Sequence, residues 1–198
     1  LYQIASPDGG ARLLFAEVDS GCGIFQLVAQ LDRNGRHIRL CYDDNGLPHS
    51  IYDGSGRHFQ PVFSSIRLND NDPDFDPAGE RDVFVSEDER FYVNRLTSVT
   101  FNGKELVRYD YDGYGDLTAV YGRDGKKLRG FAYPNHIMVE HSQPDGLVSR
   151  YEYDRYDTDG KVLKSSNNLG EEWTFDYRKD HTVVTDALGR TEVYGFDE

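Results

Sequence analysis

Methionine and tryptophan occur once each, and cysteine only twice, among 198 residues. A helix-packed core draws on straight-chain apolar residues, and their scarcity beside 20 Gly, 14 Tyr and 11 Phe argues for strands and turns. No window approaches the 18 or so apolar residues of a membrane-spanning helix, and Leu1-Tyr2-Gln3 lacks the charged and apolar regions of a signal peptide. Basic residues are outnumbered 22 to 35, for a net charge of −13, so the basic stripe that binds a phosphate backbone is missing and no nucleic-acid partner is expected. Cys22 and Cys41 form neither a disulfide framework nor a CxxC or Cys/His pattern. They read as small strand residues, with a single disulfide as the alternative. The chain starts without Met and stops within a repeat at Gly195-Phe196-Asp197-Glu198, so it is expected to be a piece of something longer.

What the chain does contain is punctuation. Asp-x-x-Gly recurs at Asp32/Gly35, Asp43/Gly46, Asp53/Gly56, Asp112/Gly115, Asp157/Gly160 and Asp186/Gly189. Asp at the first position of a type I turn accepts hydrogen bonds from the turn backbone. Gly at the fourth adopts the left-handed conformation that sends the chain into a returning strand. Variants stand at Asn167/Gly170, Gln143/Gly146 and Gly122/Gly125. Gly46 to Gly56, Gly115 to Gly125 and Gly160 to Gly170 are each ten residues apart, which leaves room for short strands between turns.

Between the turns aromatics alternate with polar residues: Tyr109/Tyr111, Phe131/Tyr133, Tyr151/Tyr153, Phe175/Tyr177 and Tyr194/Phe196. A period of two is a strand signal that places both aromatics of a pair on one face and the charged residues on the other. Successive pairs start 22, 20, 24 and 19 residues apart, the length of two strands and two turns. Each hairpin then needs its neighbours to bury its face, and each aromatic pair is expected to lie beside its equivalent in the next hairpin. About sixteen antiparallel strands and no defensible helix follow, an all-β fold of consecutive hairpins.

Thr185-Asp186-Ala187-Leu188-Gly189-Arg190-Thr191, followed by Tyr194-x-Phe196-Asp197, closely resembles the YD repeat of bacterial Rhs proteins, Asp-x-x-Gly-Arg and then Tyr-x-Tyr-Asp. Tyr109-Asp110-Tyr111-Asp112-Gly113-Tyr114-Gly115-Asp116-Leu117 and residues 151–163 look like further copies, with Asp116 and Lys161 where Arg is common. The resemblance covers roughly residues 25–64 and 95–198. It implies a long curved sheet that forms part of a hollow shell around a toxic polypeptide, as in insecticidal toxin complexes. The partners would be the rest of a parent chain and its toxin cargo, in an exported or cell-surface bacterial protein. Family members carry a self-cleaving aspartyl motif before the toxin, and nothing in this sequence matches it.

The sequence therefore predicts three regions: hairpins over 1–64, an acidic inserted loop over 65–94 and hairpins over 95–198, in one continuous sheet. The insert breaks the pattern with Asp70, Asp72, Asp74 and Asp76 among prolines, and one short strand was expected around Asp82-Val83-Phe84-Val85. Alternating Asp suggests a calcium loop, but an EF-hand-like loop from Asp70 would need Gly at 75 and Glu at 81, where Phe75 and Arg81 stand. A solvated acidic loop is the plainer reading. His37, His49, His58, His136, His141 and His181 show no metal-ligand spacing, and no phosphate-binding loop or nucleophile motif occurs. A chance pair of carboxylates could imitate a glycosidase, but nearly every Asp is accounted for by a turn. No catalytic residue, cofactor or metal is expected. The competing reading is a carbohydrate- or cell-wall-binding module, since Tyr-rich repeats near 20 residues also stack on sugars or choline. Such modules lean on Trp, and this chain has only Trp173. Strand edges near Leu1 and Phe196 would favour self-association.

Overall fold

The computed structural model describes residues 1–8, 10–68 and 92–196. All regular structure in them is β, in sixteen strands whose order in one antiparallel sheet is their order in sequence. Every connection between described neighbours is therefore a hairpin, as the closely spaced turns require. The chain divides into two compact units, residues 1–64 with 95–108, and residues 65–94 with 109–198.

The first unit contains β1 (Tyr2–Ala5), β2 (Ala11–Glu17), β3 (Phe25–Asp32), β4 (His37–Tyr42), β5 (Pro48–Asp53), most of β6 (His58–Arg67) and most of β7 (Tyr92–Phe101) and β8 (Lys104–Tyr111). β6 and β7 outrun the expected insert boundaries, which were 65 and 94. Ser65-Ile66-Arg67 and Tyr92-Val93-Asn94 are the outer ends of these two strands. Phe59 and Phe101 stack at 5.1 Å, and the Thr97 hydroxyl donates to the Val62 carbonyl at 3.2 Å. These contacts tie residues 95–101 to the first run of hairpins. The expected calcium ligands and the strand near Val83 lie outside the described residues.

The second unit carries β9 (Leu117–Gly122), β10 (Lys127–Ala132), β11 (Glu140–Ser142), β12 (Val148–Tyr153), β13 (Val162–Asn167), β14 (Glu172–Tyr177), β15 (His181–Asp186) and β16 (Thr191–Gly195). Across it the register sets two different faces. Trp173, Phe175 and Tyr177 oppose Asp186, Val184 and Thr182, and the last two oppose Glu192 and Tyr194. The other face pairs opposite charges, Arg150 with Glu140 and Lys164 with Glu172, both at 2.9 Å.

Among the described residues only Val93 (7% exposed), Ala119 (4%) and Ser50 (5%) are buried nonglycine residues. Most strand side chains are half-buried, covered by cross-strand neighbours alone.

In the described pairings five β-bulges punctuate the ladders, each leaving one residue unopposed in the strand that leaves a hairpin: Val28, His49, Leu106, Leu128 and Leu163. A bulge adds twist and re-aims the extra side chain.

Candidate functional site: hairpin turns and the aromatic face

One turn is built five times. At Asp32, Asp43, Asp53, Asp112 and Asp186 the Asp carbonyl accepts the Gly N–H three residues on, at 2.9–3.2 Å. The Asp Oδ1 accepts the N–H groups two and four residues on; at Asp186 these are Leu188 and Arg190, both at 2.9 Å. The Asp N–H then donates to the carbonyl four residues on, closing the hairpin. Gly35, Gly46, Gly56, Gly115 and Gly189 all have φ between 76° and 79°. At Gly189 a Cβ would meet nothing within 4 Å, so backbone conformation and not crowding makes glycine the fitting residue.

Asn167 performs the same task, its Oδ1 accepting from Leu169 and Glu171. At Gly122 and Gln143 the first residue has no carboxylate or Oδ1, and an Asp two residues on accepts instead: Asp124 from the Lys126 N–H and Asp145 from the Leu147 N–H.

Asp157 and Gly160 are arranged differently. Their carbonyl-to-amide bond forms at 3.0 Å, but Gly160 is not in the left-handed region, and a Cβ there would lie 2.1 Å from the Arg155 carbonyl oxygen. The hairpin closes one step outward, where the Asp154 N–H donates to the Lys161 carbonyl and the Lys161 N–H to Asp154 Oδ1. Gly160 thus permits a close backbone approach inside a wider loop.

Tyr109, Tyr111, Tyr151, Tyr153 and Phe175 are half-buried, and Tyr177, Tyr194 and Phe196 are exposed. Phe175 and Tyr177 stack on each other at 6.4 Å, Tyr153 leans on Tyr156 at 5.7 Å, and Tyr151 stacks on His141 at 5.9 Å. These contacts are within a pair, with a loop or with the adjacent strand, shorter in range than pair-to-pair stacking. The tyrosines also carry a second bond that composition does not reveal. The hydroxyls of Tyr42, Tyr153 and Tyr177 donate to carbonyls fifteen residues earlier, at Leu27, Met138 and Val162, over 2.6–2.9 Å. Each tyrosine thereby pins the preceding turn of chain. Burial pushes the phenols of Tyr42, Tyr133, Tyr153 and Tyr177 up from the ordinary tyrosine value, reinforced at Tyr133 by the Asp116 and Asp112 carboxylates.

The turn carboxylates respond in the other direction. The Arg57 side chain holds Asp53 below the ordinary carboxylate value, and backbone N–H bonds from Lys126, Lys161 and Arg190 do the same at Asp124, Asp154 and Asp186. These groups support turns, and among the described residues no cluster of three or more His, Cys, Asp or Glu side chains is placed to hold a metal. Cys22 and Cys41 are both free thiols.

Among the described residues, hairpins in sequence order and an aromatic face define a repeat segment of β-sheet. In sequence it is similar to parts of bacterial toxin proteins. It is 32% identical to Toxin protein Tse5 of Pseudomonas aeruginosa over 175 residues, 88% of this chain and 13% of that protein. It is 36% identical to Double-stranded DNA deaminase toxin A of Burkholderia cenocepacia over 109 residues, 52% of this chain and 8% of that protein. The chain thus spans about an eighth or less of the length of either relative. Crystal structures of TcdB2-TccC3-TEV and of TcdB2-TccC3 without its hypervariable C-terminal region match at TM-scores of 0.21 and 16% identity, covering 96% and 91% of this chain and 12% and 13% of those chains. No protein-family model matches the chain.

Proposed function

We propose that this chain is a structural segment of an Rhs-type protein, a strip of β-wall in a larger shell that encloses or delivers a toxin domain absent from this sequence. One observation carries the reading: a sheet of sequential hairpins in which, among the described residues, Val93, Ala119 and Ser50 are the only buried nonglycine residues gains its missing cover from further strands or cargo. Similarity along 88% of the chain to a piece of a much longer toxin protein supports it.

The segment's role is containment and not catalysis. Its Asp residues hold turns, and its Tyr residues cover strands and cap carbonyls. The six turn pairs and the five aromatic pairs named from sequence are its working parts, and the rest of the parent chain and its toxin are its partners. Limited proteolysis of the parent protein tests this. The toxin domain should resist digestion in the intact chain and become sensitive when turns in this segment are disrupted. Equal sensitivity in both would refute it.

The exposed Trp173, Tyr177 and Tyr194 rings on one face favour the carbohydrate-binding alternative. Retention on a glycan array, lost in Trp173→Ala, would establish that reading instead.

A further inference from the structure

The polar cluster around Ser50 goes beyond wall-building. Ser50 is the one buried polar side chain among the described residues, and two imidazoles converge on its hydroxyl: His49 Nδ1 at 3.0 Å and His58 Nε2 at 2.9 Å. Two further features show that the convergence is held in place. His49 occupies the bulge between β4 and β5, a position filled by Val28, Leu106, Leu128 and Leu163 at the other four. It alone brings a donor atom there, and the bulge turns that atom toward Ser50. His58 is fixed by stacking on Tyr52, with centroids 4.5 Å apart and planes 8° apart, while the Arg39 guanidinium lies 4.9 Å from the same ring.

We propose that His49 and His58 chelate a borderline divalent cation of the zinc class through the two nitrogens that now meet at Ser50. Two nitrogens each about 3 Å from a common oxygen come within joint reach of a metal with bonds of about 2.0–2.1 Å after small side-chain rotations. The pair already places donors from adjacent strands on one point. Imidazole favours zinc or copper over calcium or magnesium. Both histidines bind as neutral rings with the ring proton on the other nitrogen, so Ser50 loses its two imidazole bonds and takes water or the ion. The two nitrogens leave coordination positions for water, which sets this apart from a closed structural zinc site.

Zinc titrated calorimetrically into the full chain, with calcium as comparison, tests the proposal. One equivalent of zinc should bind and calcium should not compete. His49→Ala and His58→Ala should each weaken zinc at least about tenfold, while His181→Ala, an exposed histidine beside Asp180, should leave it unchanged. Circular dichroism identical to the parent shows that the variants are folded. A variant that fails this check is replaced by His49→Gln or His58→Gln, which keeps a polar group of similar reach. Absence of zinc binding, or zinc binding unaltered in both folded histidine variants, would overturn the proposal.

Discussion

Three glycines test the turn geometry, because the structure assigns each a different reason for being glycine. Gly189 has φ of 77° with open space around an added Cβ. Alanine there carries the left-handed penalty of about 1–2 kcal/mol, offset by about 0.4–1 kcal/mol from the stiffer unfolded chain, for a net loss near 1 kcal/mol. Gly160 is outside the left-handed region but would press a Cβ to 2.1 Å from the Arg155 carbonyl oxygen. Backbone on backbone cannot rotate away, so the loop must shift, and a loss of about 2–3 kcal/mol is expected. Gly195 sits in β16 with neither constraint, and alanine should be neutral or stabilise by about 0.5 kcal/mol. Urea unfolding of the three variants gives the order directly, with unchanged slopes showing that the unfolded states are comparable. Gly189→Asn should recover part of the loss, because Asn tolerates the left-handed region. Equal effects at Gly189 and Gly195, or a harmless Gly160→Ala, would refute the assigned turns.

Replacing Asp186 by Ala should destabilise more than replacing it by Asn, since Asn167 already accepts the same two backbone bonds; thermal melting ranks the two. Tyr153→Phe removes the donor to the Met138 carbonyl and should lose about 1 kcal/mol in urea. Stability against pH should form a plateau. Carboxylates held low at Asp53, Asp124, Asp154 and Asp186 keep their contribution above the ordinary carboxylate range and lose it as pH falls through and below that range. Phenols held high at Tyr42, Tyr153 and Tyr177 keep theirs below about pH 10 and lose it as pH rises further, so Tyr153→Phe should flatten part of the alkaline limb of a pH-stability series. The isolated chain should self-associate through the exposed edges of β1 and β16 in sedimentation, and Val193→Pro should weaken that.

The hairpin order was legible because Asp-x-x-Gly is local chemistry: Asp186 and Gly189 need only their immediate neighbours to make their turn. Alternation in Tyr151-Glu152-Tyr153 likewise fixes which side chains share a face. Asn102-Gly103 is an equally local signal, and the left-handed φ values of 52° and 70° there make the tight β7–β8 connection. Four other features escape the motif. The Tyr42, Tyr153 and Tyr177 hydroxyl bonds span fifteen residues and depend on strand register. The substitution of Asp124 or Asp145 for a missing first-position Asp preserves the bond while moving its source. Gly160 looked like its equivalents because the motif is the same, yet the extra residues of its loop moved closure to Asp154 and Lys161. His49 meets Ser50 only through a bulge, which no periodicity reveals.

The wall reading is tested most directly by an electron cryomicroscopy map of the parent protein with its toxin present. β1 and β16 should each continue into strands of the same chain, with the toxin polypeptide enclosed by the resulting shell. A map in which either edge stands open to solvent, or in which the toxin lies outside the sheet as a separate folded body, would contradict it.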